Sequence, residues 1–280
     1  MGAVLLSSGC GLSDAPLLDP KGPIALAERD LLFTAVALML IVIIPVFVLA
    51  FWFTWRYRAS NSKARYDPDW SYSARIDAVI WLIPALIVVA LGVLVWINTH
   101  KLDPFKPLAS AVPPLEVEVV AQDWKWLFIY PAQEIAVVNQ LVFPSQTPLS
   151  LKITSDTVMN SFFIPALGGQ IFAMAGMETR LNLLADAPGR FVGQNTQYSG
   201  SGFSDQHFEA IAASQEDFDA WVAKVKQSPD RLDAATYRAL ALPSSKHPVT
   251  YYSAVERNLF HKIIARYSRS QAHTDQAVAK

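Results

Sequence analysis

Two runs of the chain, Leu31 to Trp55 and Ala78 to Thr99, hold no charged residue. At about 1.5 Å of rise per residue they predict helices of roughly 37 and 33 Å, against a hydrocarbon core of about 30 Å. A helix on the core of a soluble protein keeps a polar face as a rule, and neither run has one, so both are assigned to a membrane. Pro45 and Pro84 fall inside the runs. Carbonyls freed by such prolines are satisfied by neighbouring helices, which points to a partner with membrane helices of its own.

Beyond Thr99 the pattern changes. Residues 100–114 are rich in Pro, Lys and Ala without periodicity and predict a linker. Alternation with period two follows: Leu115, Val117 and Val119 against Glu116 and Glu118, then Leu149, Leu151 and Ile153 against Ser150, Lys152 and Thr154, then Leu181 and Leu183 against Arg180 and Asn182. With further strands expected over 135–143, 158–164, 191–194 and 207–212, residues 115–212 predict an all-β sandwich or barrel. From 213 onward the period becomes helical. Ser214 with Asp217 resembles a capping box ahead of Phe218, Trp221, Val222 and Val225, and a short helix is expected near 234–240. A third is expected to open at Ser253 with Glu256, carrying Val255, Leu259 and Ile263 on one stripe, before a polar tail that predicts disorder.

Charge and cysteine content narrow the function. Lys and Arg number 23 against 24 Asp and Glu, so no basic surplus argues for nucleic acid as a partner. The single cysteine, Cys10, excludes an internal disulfide framework and any multi-cysteine metal site. The segment MGAVLLSSGC resembles the end of a lipoprotein signal, with Ser7 where leucine is usual, which makes Cys10 a candidate lipidation site in an external N-terminus of residues 1–30. Arg56, Arg58, Lys63, Arg65 and Arg75 lie between the two apolar runs, while Lys21, Arg29, Lys101 and Lys106 flank them. Positive residues collect on the cytoplasmic side, so the loop 56–77 is expected inside and both termini in the periplasm.

Three segments carry a family resemblance: AQDWKWLFIYP from Ala121, SDTVMNSFFIPALG from Ser155 and GQNTQYSGSGF from Gly193. Together with the helix pair they cover nearly the whole chain, which resembles subunit II of the haem-copper respiratory oxidases. The resemblance implies a membrane α-helical hairpin over 31–99, an all-β cupredoxin-like sandwich over 115–212, and a short helical C-terminal extension over 213–280. In the branch that accepts electrons from cytochrome c, this sandwich holds a two-copper centre on two cysteines, two histidines, a methionine and a glutamate. The matching positions here are Asn160, Asn195, Ser199, Phe203 and Gln206, with Gln197 in place of the glutamate. Soft copper sites need thiolate, imidazole or thioether, so these are vacated copper-ligand positions and no metal is expected in this chain.

The segments VMNSFFIP, QIFAMAGM and YSGSGFS look like the quinol oxidase branch, the cytochrome o ubiquinol oxidases. That likeness implies an assembly and capping subunit, in the bacterial inner membrane, of a proton-pumping complex that oxidises ubiquinol and reduces oxygen to water. Haems and copper are then expected in subunit I. The implied partners are subunit I, further small membrane subunits, ubiquinol and membrane lipid, without cytochrome c. The alternative from another class is a membrane-tethered periplasmic binding or structural protein on the same fold.

Trp124, Trp126, Phe128 and Tyr130 alternate with Lys125, Leu127 and Ile129, which predicts one aromatic strand face. The family resemblance puts this run near subunit I, and Trp124 and Trp126 are its candidate contacts. Met159, Met174 and Met177 are expected to fill gaps in the core or an interface. Asp77 stands one residue before the second apolar run. A carboxylate in a first helical turn gains about 0.3–1 kcal/mol from the helix dipole, and Arg75 is a possible ion-pair partner. The family commonly carries a glutamate here, at the mouth of a proton channel of subunit I, so the resemblance makes Asp77 the candidate for proton entry.

Overall fold

The computed structural model describes residues 15–65 and 67–267, so Cys10 and the polar tail lie outside the described residues. The chain divides into two compact units, one of residues 29–103 and one that joins the N-terminal residues up to Glu28 to everything from Pro104 onward. In the first unit, helix α1 (Pro23–Arg56, begun in the other unit) and helix α2 (Ala74–Lys101) are both long and apolar enough to cross a membrane. Each runs unbroken through its proline, Pro45 or Pro84. Phe51, Trp52, Trp81 and Trp96 are exposed along them, as expected of helices that show apolar side chains on every face.

The second unit is a two-sheet sandwich. Its strands are β1 (Leu115–Gln122), β2 (Lys125–Tyr130), β3 (Ile135–Val138), β4 (Gln140–Pro144), β5 (Leu149–Ser155), β6 (Asn160–Phe163), β7 (Ile171–Ala173), β8 (Thr179–Leu183), β9 (Gly189–Asn195), β10 (His207–Ala213) and β11 (Thr250–Tyr252). One sheet has the order β11-β3-β2-β1-β5-β8, the other β4-β10-β9-β6-β7. Alternation delivers Val117, Val119 and Ala121 of β1, and Trp126, Phe128 and Tyr130 of β2, to the space between the sheets. There Phe128 and Phe162 each stand 5.0 Å from the Phe208 ring centre, and Trp126 meets Phe162 edge-on at 5.3 Å. Gly193 of β9 lies directly under Phe208, where a Cβ would come within 2.0 Å of the ring.

The opposite face of β2 is also covered. Leu127 and Ile129 pack with Leu232, Tyr237, Leu240, Leu259, Phe260 and Ile263 in a second core, so every side chain from Lys125 to Tyr130 is buried. Helix α3 (Gln215–Lys226) starts as expected, with Ser214 Oγ accepting from Asp217 N at 3.1 Å. Helix α4 (Ala234–Leu240) is capped by Asp233, which accepts from the Ala235 and Thr236 amides.

Several elements differ from the sequence expectation, among them the short strand β7, which no alternation announced. The stretch 135–143, expected as one strand, is two strands in different sheets, because Asn139 takes a left-handed conformation (φ 59°) and turns the chain across the sandwich. Its side chain holds that corner: Oδ1 accepts from Trp126 N at 2.9 Å, and Nδ2 donates to His247 O at 2.8 Å. The helix expected from Ser253 covers 259–267 instead, and Val255 makes a bridge to Leu232. Ahead of it Thr250–Tyr252 forms β11, paired with β3, so the segment after 212 contributes an edge strand as well as helices.

The residues just before α1 are welded to the sandwich. Lys21 N donates to Ala166 O at 2.8 Å, Asp186 N donates to Lys21 O at 3.0 Å, and Gly22 approaches so closely that a Cβ would stand 2.1 Å from Leu184 O.

The corner at Asn139 gives a direct test of the sheet crossing. Asn139→Ala removes both side-chain bonds and keeps an unfavourable φ, so it should cost about 1–3 kcal/mol for the unpaired groups alone. The check is the melting temperature of the detergent-solubilised chain, which should fall by several degrees; Asn139→Gly, which relieves only the φ, should recover part of that loss.

Candidate functional site

Three neighbouring strands of the second sheet, β10, β9 and β6, bring three carboxamides to one place. Asn160 opens β6, Asn195 closes β9, and Gln206 stands just before β10, at the end of the short 3-10 turn Phe203–Asp205. All three are buried, at 0%, 6% and 1% exposure. Asn195 Nδ2 donates to Asn160 Oδ1 at 2.8 Å and to Gln206 Oε1 at 2.9 Å, with a longer contact to Ser199 Oγ at 3.2 Å. Gln206 Nε2 donates to Asn160 Oδ1 at 3.0 Å and to Gln122 O at 3.3 Å, while Ser199 Oγ donates to Gln206 Oε1 at 2.8 Å. Asn160 Nδ2 turns outward to Val158 O at 2.8 Å, and Asn195 Oδ1 accepts the backbone amides of Ser161 and Gln197 at 2.8 and 3.0 Å.

Four of the six positions read from the sequence therefore join through their side chains in one hydrogen-bonded cluster. Gln197 enters through its backbone N–H, and Phe203 packs its ring on Tyr198 at 5.7 Å. Each amide hydrogen of Asn160, Asn195 and Gln206 has an acceptor, which removes the large cost of burying these three carboxamides unpaired. The donor set does not fit copper: it offers amide and hydroxyl oxygens already held in bonds, with no thiolate, imidazole or thioether among them. Among the described residues, no group of three or more His, Cys, Asp or Glu stands ready to hold a metal ion.

Trp124 and Trp126 go different ways. Trp124 occupies the β1–β2 turn with φ 65° and does not continue the aromatic face of β2. Its Nε1 donates to Ser199 O at 3.1 Å, and Gly202 lies so close to the indole that a Cβ would come within 2.3 Å, which ties this partly exposed ring to the loop of the amide cluster. Trp126 has 0% exposure inside the sandwich, so the expectation that it touches a partner is corrected: a ring closed in by Phe162 and Phe208 has no surface to offer. Beside the cluster Val158, Met159 and Tyr198 are exposed, and Met177, between β7 and β8, is exposed as well, which takes Met159 and Met177 out of the core and leaves them a surface role.

Asp77 lies in the first turn of α2, partly exposed, with Trp81 standing out to solvent one turn later. Among the described residues it forms no ion pair with Arg75, so only the dipole contribution applies. Sequence reasoning missed Lys125, which lies fully buried with Nζ donating to Leu242 O and Ser244 Oγ, both at 2.8 Å. Burial pushes its pKa below the ordinary lysine value, and the neighbouring Asp123 opposes that only in part. A lysine inside a run of strand-forming aromatics was the one available signal.

Comparison with known proteins gives two family matches. Residues 128–211 match the cytochrome c oxidase subunit II periplasmic domain, and residues 226–271 match the COX aromatic-rich motif. The chain is 54% identical over 264 residues to cytochrome bo(3) ubiquinol oxidase subunit 2 of Pseudomonas putida, covering 94% of this chain and 83% of that one. It is 50% identical over 270 residues to ubiquinol oxidase subunit 2 of Acetobacter aceti, covering 96% and 87%. To quinol oxidase subunit 2 of Bacillus subtilis it is 36% identical over 267 residues, covering 95% and 83%.

The donor chemistry of the cluster leads to a metal test. Titrated with Cu(II) under reducing and non-reducing conditions, the purified chain should bind no stoichiometric copper at this site and show no thiolate-to-copper absorption, and a chelator should leave its melting temperature unchanged. Asn195→Leu should lower that temperature sharply, since it removes bonds to five residues and leaves the Ser161 and Gln197 amides without the acceptor they share, at about 1–3 kcal/mol for each unpaired buried group.

Proposed function

The chain belongs to the ubiquinol oxidase subunit 2 family of the haem-copper oxidases, and on that premise we propose that it works as the complex's assembly and capping subunit, without a redox centre of its own. It is a subunit of an oxidoreductase complex, a ubiquinol oxidase. The observation that carries the proposal is the closed amide cluster at the positions where copper-binding relatives need soft ligands. With no electron entry point in this sandwich, the haems and copper belong to subunit I, and electrons pass there from ubiquinol to oxygen, giving water, with protons moved across the membrane.

The contact with subunit I uses Trp124 and the exposed Val158, Met159 and Tyr198 around it. Apolar and methionine side chains left in water beside an ordered loop suit a protein partner. The helices α1 and α2 sit in the bacterial inner membrane beside the helices of subunit I and further small subunits, with the loop 56–77 cytoplasmic and both termini periplasmic. Lipidation at Cys10 would add an anchor to the outer leaflet. No observation favours a free-standing tethered binding protein.

Asp77 serves as a proton collector at the cytoplasmic face. Its carboxyl group sits in the first turn of a membrane helix without an ion-pair partner among the described residues, at the place where protons would enter from the cytoplasm. Asp77→Asn should leave the complex assembled with unchanged haem content but slow ubiquinol-dependent oxygen uptake several-fold, and Asp77→Glu should keep most of the activity. An Asp77→Asn complex turning over at the unmodified rate across the pH range would remove the proton role. Recovery of the unmodified chain without haem would remove the subunit assignment as well.

A further inference from the structure

Asp156 is a buried carboxyl group that the amide cluster and the proton entry leave unused, with its side chain 5% exposed. Three groups from the segment matching the aromatic-rich motif close on it. Tyr237 Oη donates to Asp156 Oδ2 at 2.5 Å, and Tyr267 Oη donates to the Asp156 carbonyl at 2.7 Å. The Arg266 guanidinium lies 3.6 Å from the same carboxylate oxygen and stacks over the Tyr237 ring at 5.3 Å. Burial first, and then the nearby Asp156 charge, pushes both phenols up, Tyr267 to about 12, so both stay protonated donors at neutral pH.

The same short stretch of chain is tied from its other side. Asp156 N donates to Ala121 O at 2.9 Å, Thr157 Oγ1 donates to Asp123 Oδ1 at 2.5 Å, and Ser155 Oγ donates to Val158 O at 2.7 Å. Asn160, four residues on, is a member of the amide cluster. The turn that carries Trp124 has a second tie to the C-terminal segment through Lys125 Nζ and its two acceptors at Leu242 and Ser244.

We infer that the segment 226–267 is a latch, with Asp156 as its positioning residue, which fixes the loop 155–160 and the turn 123–125 so that Trp124, Val158 and Met159 are presented in one arrangement. A loop of this kind must be cross-linked by something, since each free residue costs ordering entropy when a partner binds. The amide cluster grips the loop from within the sandwich, and the latch grips it from outside the other sheet. Charge-assisted bonds to a shielded carboxylate are the strong kind, and two tyrosines and an arginine spend their polar groups on this one residue. That the presented surface meets subunit I rests on the proposed function; the latch itself does not.

The test uses the full chain in its native complex and in isolation. Amide hydrogen exchange is measured for Asp156→Asn, for Tyr237→Phe with Tyr267→Phe, and for the three changes combined, alongside the fraction of chain retained with the haem-containing partner after a salt wash. Exchange at Ser155, Asp156 and Thr157 should rise by about tenfold or more, while Phe191 and Ala210 in the β9–β10 pair stay within about twofold. The combined variant should exceed Asp156→Asn alone, because the Tyr267 bond to the Asp156 carbonyl survives that change, but fall short of the sum of the two, because the Tyr237–carboxylate contact is shared. Retention of the partner should fall in step. Unchanged exchange at 155–157, or an equal rise across the whole sandwich, overturns the latch. A local rise with full partner retention contradicts the positioning role while leaving the oxidase assignment intact.

Discussion

A carboxamide shut away from water must find partners for its two hydrogens and its oxygen or the fold loses several kilocalories per mole. Asn160, Asn195 and Gln206 meet that demand in one another, and this is the constraint on which that end of the sandwich depends. They come from three adjacent strands, so their bonds fix the relative height of β6, β9 and β10 at that end. Asn195 also reaches the Ser161 and Gln197 amides, and Gln206 reaches the carbonyl of Gln122 on the opposite sheet. The cluster thus closes the sandwich across both layers, a task for which a metal ion would need thiolates and imidazoles that are absent from these positions.

A second constraint comes from the double burial of β2. A strand covered on one face only would alternate with polar residues, whereas β2 places apolar side chains on both and even draws in Lys125. The cover on the outer face is the C-terminal segment, whose Tyr237, Leu240, Phe260 and Ile263 would otherwise have no core to join. Packing and hydrogen bonding therefore agree. The same segment that seals β2 also supplies the tyrosines on Asp156 and the acceptors for Lys125.

What the sequence made legible follows from range. Uncharged apolar runs as long as a bilayer is thick report themselves, as do period-two strands such as β1 and β5 and the Ser214–Asp217 cap, because each depends on residues only a few positions apart. The corner at Asn139 does not, since its left-handed φ is held by Trp126 and His247, far away in the chain. β11 is three residues long and exists only because β3 offers an edge. The resemblance named the positions of the amide cluster, yet nothing local indicated that Asn160, Asn195, Ser199 and Gln206 would satisfy one another. Trp124 and Trp126 share a sequence pattern and part company because one sits in a turn of positive φ and the other in a strand. Alternation put Lys125 on the face opposite the aromatic one but could not show its burial, because the Leu242 carbonyl that holds it lies more than a hundred residues on.

This chain belongs to the ubiquinol oxidase subunit 2 family, and its sandwich carries carboxamides at the positions where copper-binding relatives need soft ligands. The most direct measurement is the electron-donor preference of the purified native complex, read as oxygen uptake with ubiquinol or with reduced cytochrome c at matched haem content. Uptake should be driven by ubiquinol, with none above background from cytochrome c. Comparable rates with cytochrome c would contradict this reading.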